Sequence, residues 1–382
     1  MTRTTWGLRL AIGAIVVAAA SAAVHGQIPM ERVLQRVAIP SNGGLRGLVD
    51  IVGFPQTAEQ MTAIGGMCER AEKDELAAVR QRYGWTEDAK LVAGWSPHDD
   101  YMLAGRVYAH IARYIKARTV ILIGNAHWSE AFGVRGKLIF DDFERWRGPY
   151  APVRVSSARA EILAHLPASS QTVSRPIMET EHSLEALIPF LQYYNRDVEI
   201  VPILVPFMPW NDLHARAAEL SQALAAVMAA HRWTLGQDVA VFVSGDGQHY
   251  GDYGWSYYNY HPSGCDGVGY VKATELDQRL VSSYLAGAVS SDKLKGLFSE
   301  LVNQEDIDQY KVTWCGRFAV PFGVQFAGLL TEAVEHRTLT GYPLREGTSL
   351  SFPWLPLESM KLGLTGDANL HHFVTYQAVG FK

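Results

Sequence analysis

Three uninterrupted apolar runs, each ending in a turn of small and polar residues, constrain the fold of this chain most strongly. The clearest is Val239–Gly251, VAVFVSGDGQHYG, in which the apolar residues stop abruptly at Ser244. An apolar run without alternation predicts a strand that is covered on both faces, as in a parallel sheet. Because such sheets bind ligands at the carboxyl ends of their strands, Asp246 and His249 are predicted to lie at a functional site.

The same pattern occurs twice more, in Leu91–Tyr101 (LVAGWSPHDDY) and in Thr119–Trp128 (TVILIGNAHW). The intervening Leu103–Lys116 has apolar residues at helical spacing, which predicts a strand–helix–strand unit with parallel strands. His98 and His127 should then lie at the same edge of the sheet. A single histidine in such a turn is more often a packing residue, but three suggest convergence, and convergent imidazoles bind a metal or transfer protons.

The remaining pattern predicts an α/β fold, a mostly parallel central sheet flanked by helices, in one large domain. GLVDIVGFP predicts a short strand and turn, and Thr57–Tyr83 a helix interrupted at Gly65 and Gly66. In TEHSLEALIPFLQ the leucine spacing predicts a helix whose first turn carries Glu181 and His182. His182 there either caps the helix or supports a neighbouring ligand, or it has a direct functional role. Further elements are predicted as a strand at Val198–Val205 and helices at Asn211–Trp233, 269–286, 291–303 and 322–337.

The amino terminus predicts an export signal. Arg3 and Arg9 precede an apolar stretch, Leu10–Ala23, that is short for a membrane span and rich in small residues. We expect a signal peptide at 1–26, an N-terminal segment at 27–46 and the α/β domain at 47–382, hence a periplasmic or extracellular protein without a stable membrane span. An uncleaved anchor is the alternative.

The net charge bears on which molecules the protein can bind, and the cysteine content bears on its thiol chemistry. The formal net charge is −5 and no basic tract is present, so a nucleic-acid partner is not expected, whereas an oligomer remains open. The three cysteines are Cys68, Cys265 and Cys315. Cys315 stands before Gly316 and Arg317 at the predicted start of a helix, which favours a thiolate. The alternative is that all three are small buried hydrophobic residues.

The motifs resemble, in order, those of the Memo family, also called AmmeMemoRadiSam system protein B. VDIVGFP resembles the family's opening segment, PHDDYMLAG its PHAGYxYSG and ILIGNAHW its ILGPSH. The resemblance continues through EHSLEALIPFLQ, VPILV, SGDGQHYG and CGR to the final HHFVTYQAVGF, and covers most of the chain. It implies a fold similar to that of class III extradiol dioxygenases.

The resemblance also implies a metal site with His98, His127 and Cys315 as ligands and with Asp246 and His249 as catalytic polar groups beside it. His249 would act as an acid or base. The chain departs from the family pattern in carrying two carboxylates directly after the first histidine. The residues expected to contact the ligands or the substrate are Asp99, Asp100, Glu181, His182 and Arg317.

With Cys315 as a ligand, any disulfide should join Cys68 to Cys265, and two packed thiols are equally consistent with the sequence. Two imidazoles and a thiolate leave coordination positions open, as a catalytic site requires. We expect one iron or copper ion at this site, and hence a dioxygenase-like redox enzyme that acts on a small aromatic or peptide-borne group. Zinc would predict a hydrolase. A non-catalytic metal-binding or peptide-binding protein that uses the same pocket is the other alternative.

Overall fold

The three apolar runs form neighbouring parallel strands in a mixed, mostly parallel sheet. The computed structural model describes residues 39–255 and 258–382. Val239–Ser244 lies between Ala93–Ser96 and Thr119–Asn125, and Thr119–Asn125 pairs on its other side with Glu199–Val205, all in parallel. The structure therefore confirms the predicted α/β fold class.

The elements are numbered in chain order. The strands are β1 (Leu45–Arg46), β2 (Ala93–Ser96), β3 (Thr119–Asn125), β4 (Leu138–Phe140), β5 (Arg145–Trp146), β6 (Val153–Val155), β7 (Gln171–Val173), β8 (Glu199–Val205), β9 (Val239–Ser244), β10 (His249–Trp255), β11 (Tyr258–Tyr260), β12 (Gly287–Ala288), β13 (Thr340–Thr348) and β14 (His372–Phe381). The α-helices are α1 (Ala58–Ala71), α2 (Lys73–Tyr83), α3 (Tyr101–Ala112), α4 (Ala158–His165), α5 (Arg175–Thr180), α6 (Ile188–Tyr194), α7 (Trp210–His231), α8 (Gly267–Leu280), α9 (Ser291–Leu301) and α10 (Ala319–Glu335).

The sheet has hydrophobic cores on both faces, and this is why its central strands are continuously apolar. The strand order is β1-β5-β6-β8-β3-β9-β2-β14-β10-β11. In β3, Ile121 and Ile123 join the core that contains α7 and α10, whereas Val120 and Leu122 join the core that contains α3 and α6. Successive side chains of a strand point to opposite faces, so both sets must be apolar. Polar side chains are therefore found where these strands end, at their carboxyl ends.

The predicted helix interruption at Gly65 and Gly66 is wrong, because α1 runs through both and the break falls at Glu72. Gly65 lets α1 pack closely against the ring of Tyr193. A Cβ at this position would lie 2.4 Å from the ring of Tyr193, whereas one at Gly66 would meet only the end of the Arg70 side chain. The sequence pattern could not distinguish a helix contact from a helix break.

The segment GLVDIVGFP is mostly turn, in part contrary to the strand prediction. The preceding β1 pairs with β5, and Leu48 forms a single bridge with Ile39. Beyond it, the backbone N–H groups of Val49 and Asp50 donate to the carboxylate of Glu185 at 2.8 to 3.1 Å and so cannot join a neighbouring strand. Since β1 lies before residue 47, the sheet begins inside the predicted N-terminal segment.

Apart from the helix expected to begin near Glu181, the other predicted helices occur within a few residues of their expected ends; α3, for example, stops at Ala112 rather than at Lys116. Among the described residues, no helix is both long enough and apolar enough to cross a membrane. The predicted export signal at 1–26 lies outside the described residues.

Candidate metal centre

The turns after β2, β3 and β9 meet at one edge of the sheet because β9 lies between the other two strands. Each of these strands is followed, two residues later, by a polar side chain: His98 after β2, His127 after β3 and Asp246 after β9. The backbone N–H of His98 donates to Oδ1 of Asp246 at 2.8 Å, which ties two of the turns together. Parallel strands thus bring residues that are far apart in sequence into one cluster.

His98 is buried, and its ring orientation is fixed by Ser244 at the end of β9. The Ser244 hydroxyl donates to the carbonyl of Ser183 at 2.7 Å, so it is left to accept from Nδ1 of His98 at 3.0 Å. Nδ1 therefore carries the proton, and the lone pair of Nε2 faces Sγ of Cys315 at 3.0 Å. Burial, together with the other histidines, lowers the pKa of His98 well below its usual value. This is a neutral imidazole with an available ligand atom.

His127 is oriented in the same way by a carboxylate. Its Nδ1 donates to Oε1 of Glu181 at 2.9 Å, its backbone N–H donates to Oε2 at 2.8 Å, and Nε2 lies 3.4 Å from Sγ of Cys315. Burial alone would lower the pKa of His127, but Glu181 and Cys315 outweigh it and raise that pKa well above the usual value. Burial would likewise raise the pKa of Glu181, yet His127 lowers it to about 2. A carboxylate behind a histidine is the usual partner of a metal-bound imidazole.

Glu181 and His182 do not occupy the first turn of a helix, contrary to the prediction. The short helix α5 ends at Thr180, and α6 begins only at Ile188, so both residues lie in the turn between the two helices. A helix dipole is therefore not what holds Glu181, which instead accepts the N–H of Ser183 at 2.9 Å as well as its bonds from His127.

His182 contributes a third imidazole. Its ring stacks on His127 with centroids 5.0 Å apart and meets His98 edge-on at 5.3 Å. A nitrogen of each of the three histidines lies within 4.8 Å of the others. Of the two roles considered from the sequence, the helix cap is wrong, and His182 stands beside the cluster where it can bind a metal or a substrate.

Cys315 completes the cluster, but its surroundings differ from those predicted. It lies four residues before α10, and Asn125 Nδ2 donates to its sulfur at 3.1 Å. Burial raises the pKa of the Cys315 thiol, and His127 is the neighbour that lowers it. The prediction that a helix start and Arg317 stabilise the thiolate of Cys315 is therefore wrong. The imidazole of His127 stabilises it instead.

Arg317 does not line the cavity, although it was expected to contact ligands or substrate. Its guanidinium lies 3.5 Å from the ring centroid of Tyr310 and 4.9 Å from that of Phe207, and it donates to the carbonyl of Asp308. Its side chain is buried among these groups.

Asp246 and His249 lie at the centre of the cluster as a buried acid–base pair. Oδ2 of Asp246 is 3.4 Å from Nε2 of His98 and 3.9 Å from Nε2 of His249. Burial and the neighbouring Asp99 raise the pKa of Asp246 well above its usual value, whereas burial and His372 lower that of His249. Burial therefore favours the uncharged form of both side chains.

Asp99 and Asp100 also lie at the cavity, each with its own anchor. Tyr376 donates its hydroxyl to Oδ2 of Asp99 at 2.5 Å, and Thr365 donates both its N–H and its hydroxyl to Oδ2 of Asp100. Gly53 packs so closely that a Cβ there would overlap Oδ1 of Asp100. Burial raises the pKa of Asp100 well above the usual value, and Asp99 adds to the effect.

These groups share a cavity of about 490 Å³. His98, His127, His182, Asp246, His249 and Cys315 line it together with the rings of Phe54 and Trp128. The carboxylates Asp50, Asp99, Asp100 and Asp367 and the imidazole His372 also line it. Among the described residues no lysine or arginine lines it.

Asp277 supports two segments of the site through hydrogen bonds, and it was not predicted from the sequence. Its carboxylate accepts from Gln248 Nε2 at 2.7 Å, from Trp314 Nε1 at 2.8 Å and from the hydroxyl of Thr375. Gln248 precedes His249 and Trp314 precedes Cys315, so one buried carboxylate positions both segments. Burial raises the pKa of Asp277 to about 6.

Asn125, Ser244 and Ser183 were missed as well. Each stands inside a motif that the sequence did single out: Asn125 two residues before His127, Ser244 at the end of its apolar run and Ser183 directly after His182. A polar residue at the last position of an otherwise apolar strand is a signal that could have found Asn125 and Ser244.

The donor set fits a metal ion. Two overlapping groups, His98 with His127 and His182, and His98 with Asp246 and Cys315, each have ligand atoms within 4.8 Å of one another. Metal–nitrogen bonds of ~2.0 Å and metal–sulfur bonds of ~2.3 Å at tetrahedral angles separate nitrogen from sulfur by ~3.5 Å. The distances from Nε2 to Sγ are 3.0 Å for His98 and 3.4 Å for His127, close to that requirement.

Comparison with known proteins finds MEMO1 family proteins that are similar to this chain. A MEMO1 family protein of Pyrobaculum arsenaticum is 32% identical over 166 residues, 42% of this chain and 54% of that protein. One of Pyrococcus abyssi is 26% identical over 249 residues, 63% of this chain and 76% of that protein. The chain spans about half the length of the first of these relatives.

Among solved structures, that of an uncharacterised Escherichia coli K12 protein aligns with 75% of this chain and 99% of that chain, with a TM-score of 0.36 and 14% identity. So weak a likeness leaves the expected similarity to extradiol dioxygenases a prediction. The family model described as Memo-like protein matches residues 68–339, well over half of the chain. The chain belongs to the Memo family.

Proposed function

We propose that this chain is an exported metalloenzyme, periplasmic or extracellular, in which His98, His127 and Cys315 hold one iron or copper ion for redox chemistry on a small aromatic or peptide-borne group. The observation that carries the proposal is the convergence of two imidazole Nε2 atoms on one thiol sulfur at 3.0 and 3.4 Å, at the wall of a cavity. Iron or copper bound there would supply the electron transfer that such a reaction needs.

The protein's contribution to metal binding is orientation. Ser244 and Glu181 each hold Nδ1 of His98 and His127, so that Nε2 of each ring faces the site. His127, whose pKa Glu181 and Cys315 raise, becomes a ligand on losing its second proton. The thiol and imidazole donors suit copper, iron and zinc, and not the hard ions Mg²⁺ and Ca²⁺. Copper is favoured in an exported protein because it stands at the top of the divalent affinity series.

The protein's contribution to catalysis is proton transfer. Burial favours the uncharged forms of both groups, because it raises the pKa of Asp246 and lowers that of His249. The two side chains lie 3.9 Å apart beside the ligands, where each could exchange a proton with a bound substrate, which a protein that only stores metal would not need.

The cavity supports a small ligand. Its volume of about 490 Å³ lies within the usual range for small-molecule sites, ~300–1,000 Å³. Phe54 and Trp128 provide ring surfaces against which a planar group could pack.

Elemental analysis of the full chain, purified from its native compartment without chelators, tests the metal assignment. About one iron or copper ion per chain is expected, and His98→Ala and Cys315→Ala should each reduce it to background because a ligand is lost. His231→Gln is the matched control, since it removes a surface histidine that binds Glu161 at 2.8 Å. Unchanged iron or copper in His98→Ala would refute the proposed ligand set.

Turnover tests the second part of the proposal. His249→Gln should keep the metal and lose roughly 10²- to 10⁴-fold in the rate of oxygen uptake with aromatic or peptide substrates. Wild-type rates in this variant would remove His249 from the mechanism. Metal binding without any turnover in the unmodified chain would favour the metal-binding or peptide-binding alternative, and zinc with hydrolysis would favour the hydrolase.

A further inference from the structure

A second set of metal-ligating side chains lies on the surface, at the end of the sheet opposite β1. Asp252, Cys265 and His371 each offer one donor atom, and these three atoms lie within 4.8 Å of one another. Nδ1 of His371 is 2.8 Å from Oδ1 of Asp252. None of the three lines the cavity of the candidate metal centre with His98, His127 and Cys315, which we call the buried centre. We call this group the surface triad.

Strand pairing explains why the surface triad is separate from the buried centre. Gly251 of β10 is opposite His372 of β14, and the N–H of Tyr253 donates to the carbonyl of His371 at 3.1 Å. Successive residues of paired strands face opposite sides. His372 therefore lines the cavity, whereas its neighbour His371 meets Asp252 on the outside.

The turn that carries Cys265 is held at both ends. The hydroxyl of Tyr250, on the same strand as Asp252, donates to the carbonyl of Gly264 at 3.0 Å and accepts the N–H of Ser263 at 3.2 Å. On the other side, the side chain of Asp266 caps α8 by accepting from the N–H groups of Val268 and Gly269, both at 2.9 Å.

This anchoring matters because a binding site costs less free energy when its donors are already in place. Asp252 lies in β10, His371 lies in the turn before β14 and accepts the N–H of Tyr253 at 3.1 Å, and Cys265 lies in a turn that is held at both ends. The donors come from three separate segments, of which the one that carries His371 is distant in sequence from the other two.

We propose that Asp252, Cys265 and His371 bind a Zn²⁺ ion, with water at the fourth position. One sulfur, one nitrogen and one oxygen donor form a set that zinc accepts in tetrahedral geometry. Mg²⁺ and Ca²⁺ are disfavoured because they take oxygen ligands almost exclusively. The site shares no ligand with the buried centre and would join the β10–β11 hairpin, the start of α8 and the start of β14.

Alkylation of Cys265 in the full-length protein, followed by mass spectrometry of its peptide, tests this site with Zn²⁺ alone as the probe. Zinc should slow the alkylation of Cys265 by about tenfold or more, because a metal-bound thiolate is no longer a free nucleophile. The Cys265 and Cys315 peptides are distinct, so the two sites are read separately.

The protection should be lost in His371→Gln and kept in the matched control His231→Gln. His231 and Glu161 form a surface pair of the same length, 2.8 Å, but are not part of a three-donor group among the described residues. Unchanged alkylation of Cys265 in the wild type with zinc, or equal protection in His371→Gln, would overturn the proposal. If His371→Gln fails to fold, the wild-type comparison with and without zinc decides alone.

Discussion

The buried centre and the surface triad contain the same kinds of donor, imidazole, thiol and carboxylate, in two different surroundings. In the buried centre both proposed histidine ligands have a partner that fixes a ring proton: Ser244 for His98 and Glu181 for His127. In the surface triad the ring of His371 bonds to the carboxylate of Asp252, and both side chains are exposed. Burying a polar group without a hydrogen-bond partner costs free energy, so the protein must supply the partners in a buried site. In an exposed site, water can supply them. We therefore expect the two sites to respond very differently to changes beyond their ligands.

Glu181→Gln should have the largest effect among such changes. The amide still accepts a hydrogen bond but carries no charge, and losing a carboxylate behind a metal-bound histidine lowers metal affinity by ~10- to 100-fold. Competition with a chelator of known affinity measures this in the buried centre. Glu161→Gln, which alters the carboxylate paired with His231 on the surface, should leave the affinity unchanged. An equal loss in both variants would mean that the effect is not local.

Ser244→Ala should weaken the buried centre by about tenfold, at the lower end of the range for such partners. The change removes the acceptor for Nδ1 of His98 and the donor to the carbonyl of Ser183. Leaving those groups unpaired should also lower the free energy of unfolding by roughly 1–3 kcal/mol. Protection of Cys265 by zinc should be unaffected, and the same variant measures both. A weaker surface triad in this variant would show that the two sites are coupled.

Asp277→Asn should have the smallest effect and should appear as a change in pH dependence. Burial raises the pKa of Asp277 from 3.8 to about 6. An acid whose pKa is raised by folding contributes stability below its unfolded pKa, and that contribution is lost as the pH rises through the folded pKa. The melting temperature of the wild type relative to the variant should therefore fall between about pH 4 and 6 and be level above that window. A level difference throughout would mean that Asp277 keeps its ordinary pKa.

The sequence was sufficient to predict the sheet and the meeting of its strand ends. Continuous apolar runs occur where both faces of a strand are buried, and β2, β3 and β9 have that property. Because parallel strands end at one edge, His98, His127 and Asp246 could be expected together. The local sequence indicated Cys315 as a candidate thiolate, whereas its role as a ligand came from the family resemblance, since nothing in the local sequence identifies its neighbours.

The contacts that orient these residues could not be predicted. Gly65 was interpreted as a helix break, although its role is set by the ring of Tyr193, which is distant in sequence. Arg317 was assigned to the site because it adjoins Cys315, yet the rings of Tyr310 and Phe207 hold it elsewhere. Such contacts depend on tertiary packing, and residue spacing carries no information about it.

X-ray absorption spectroscopy at the iron or copper edge tests the buried centre most directly. The reconstituted wild-type protein should show nitrogen neighbours at ~2.0–2.1 Å and a sulfur neighbour at ~2.3 Å. The sulfur signal should disappear in Cys315→Ser and remain in Cys265→Ser, because the surface triad is a separate site. Absence of sulfur in the wild type, or its loss in Cys265→Ser alone, would contradict the assignment of His98, His127 and Cys315 as the ligands.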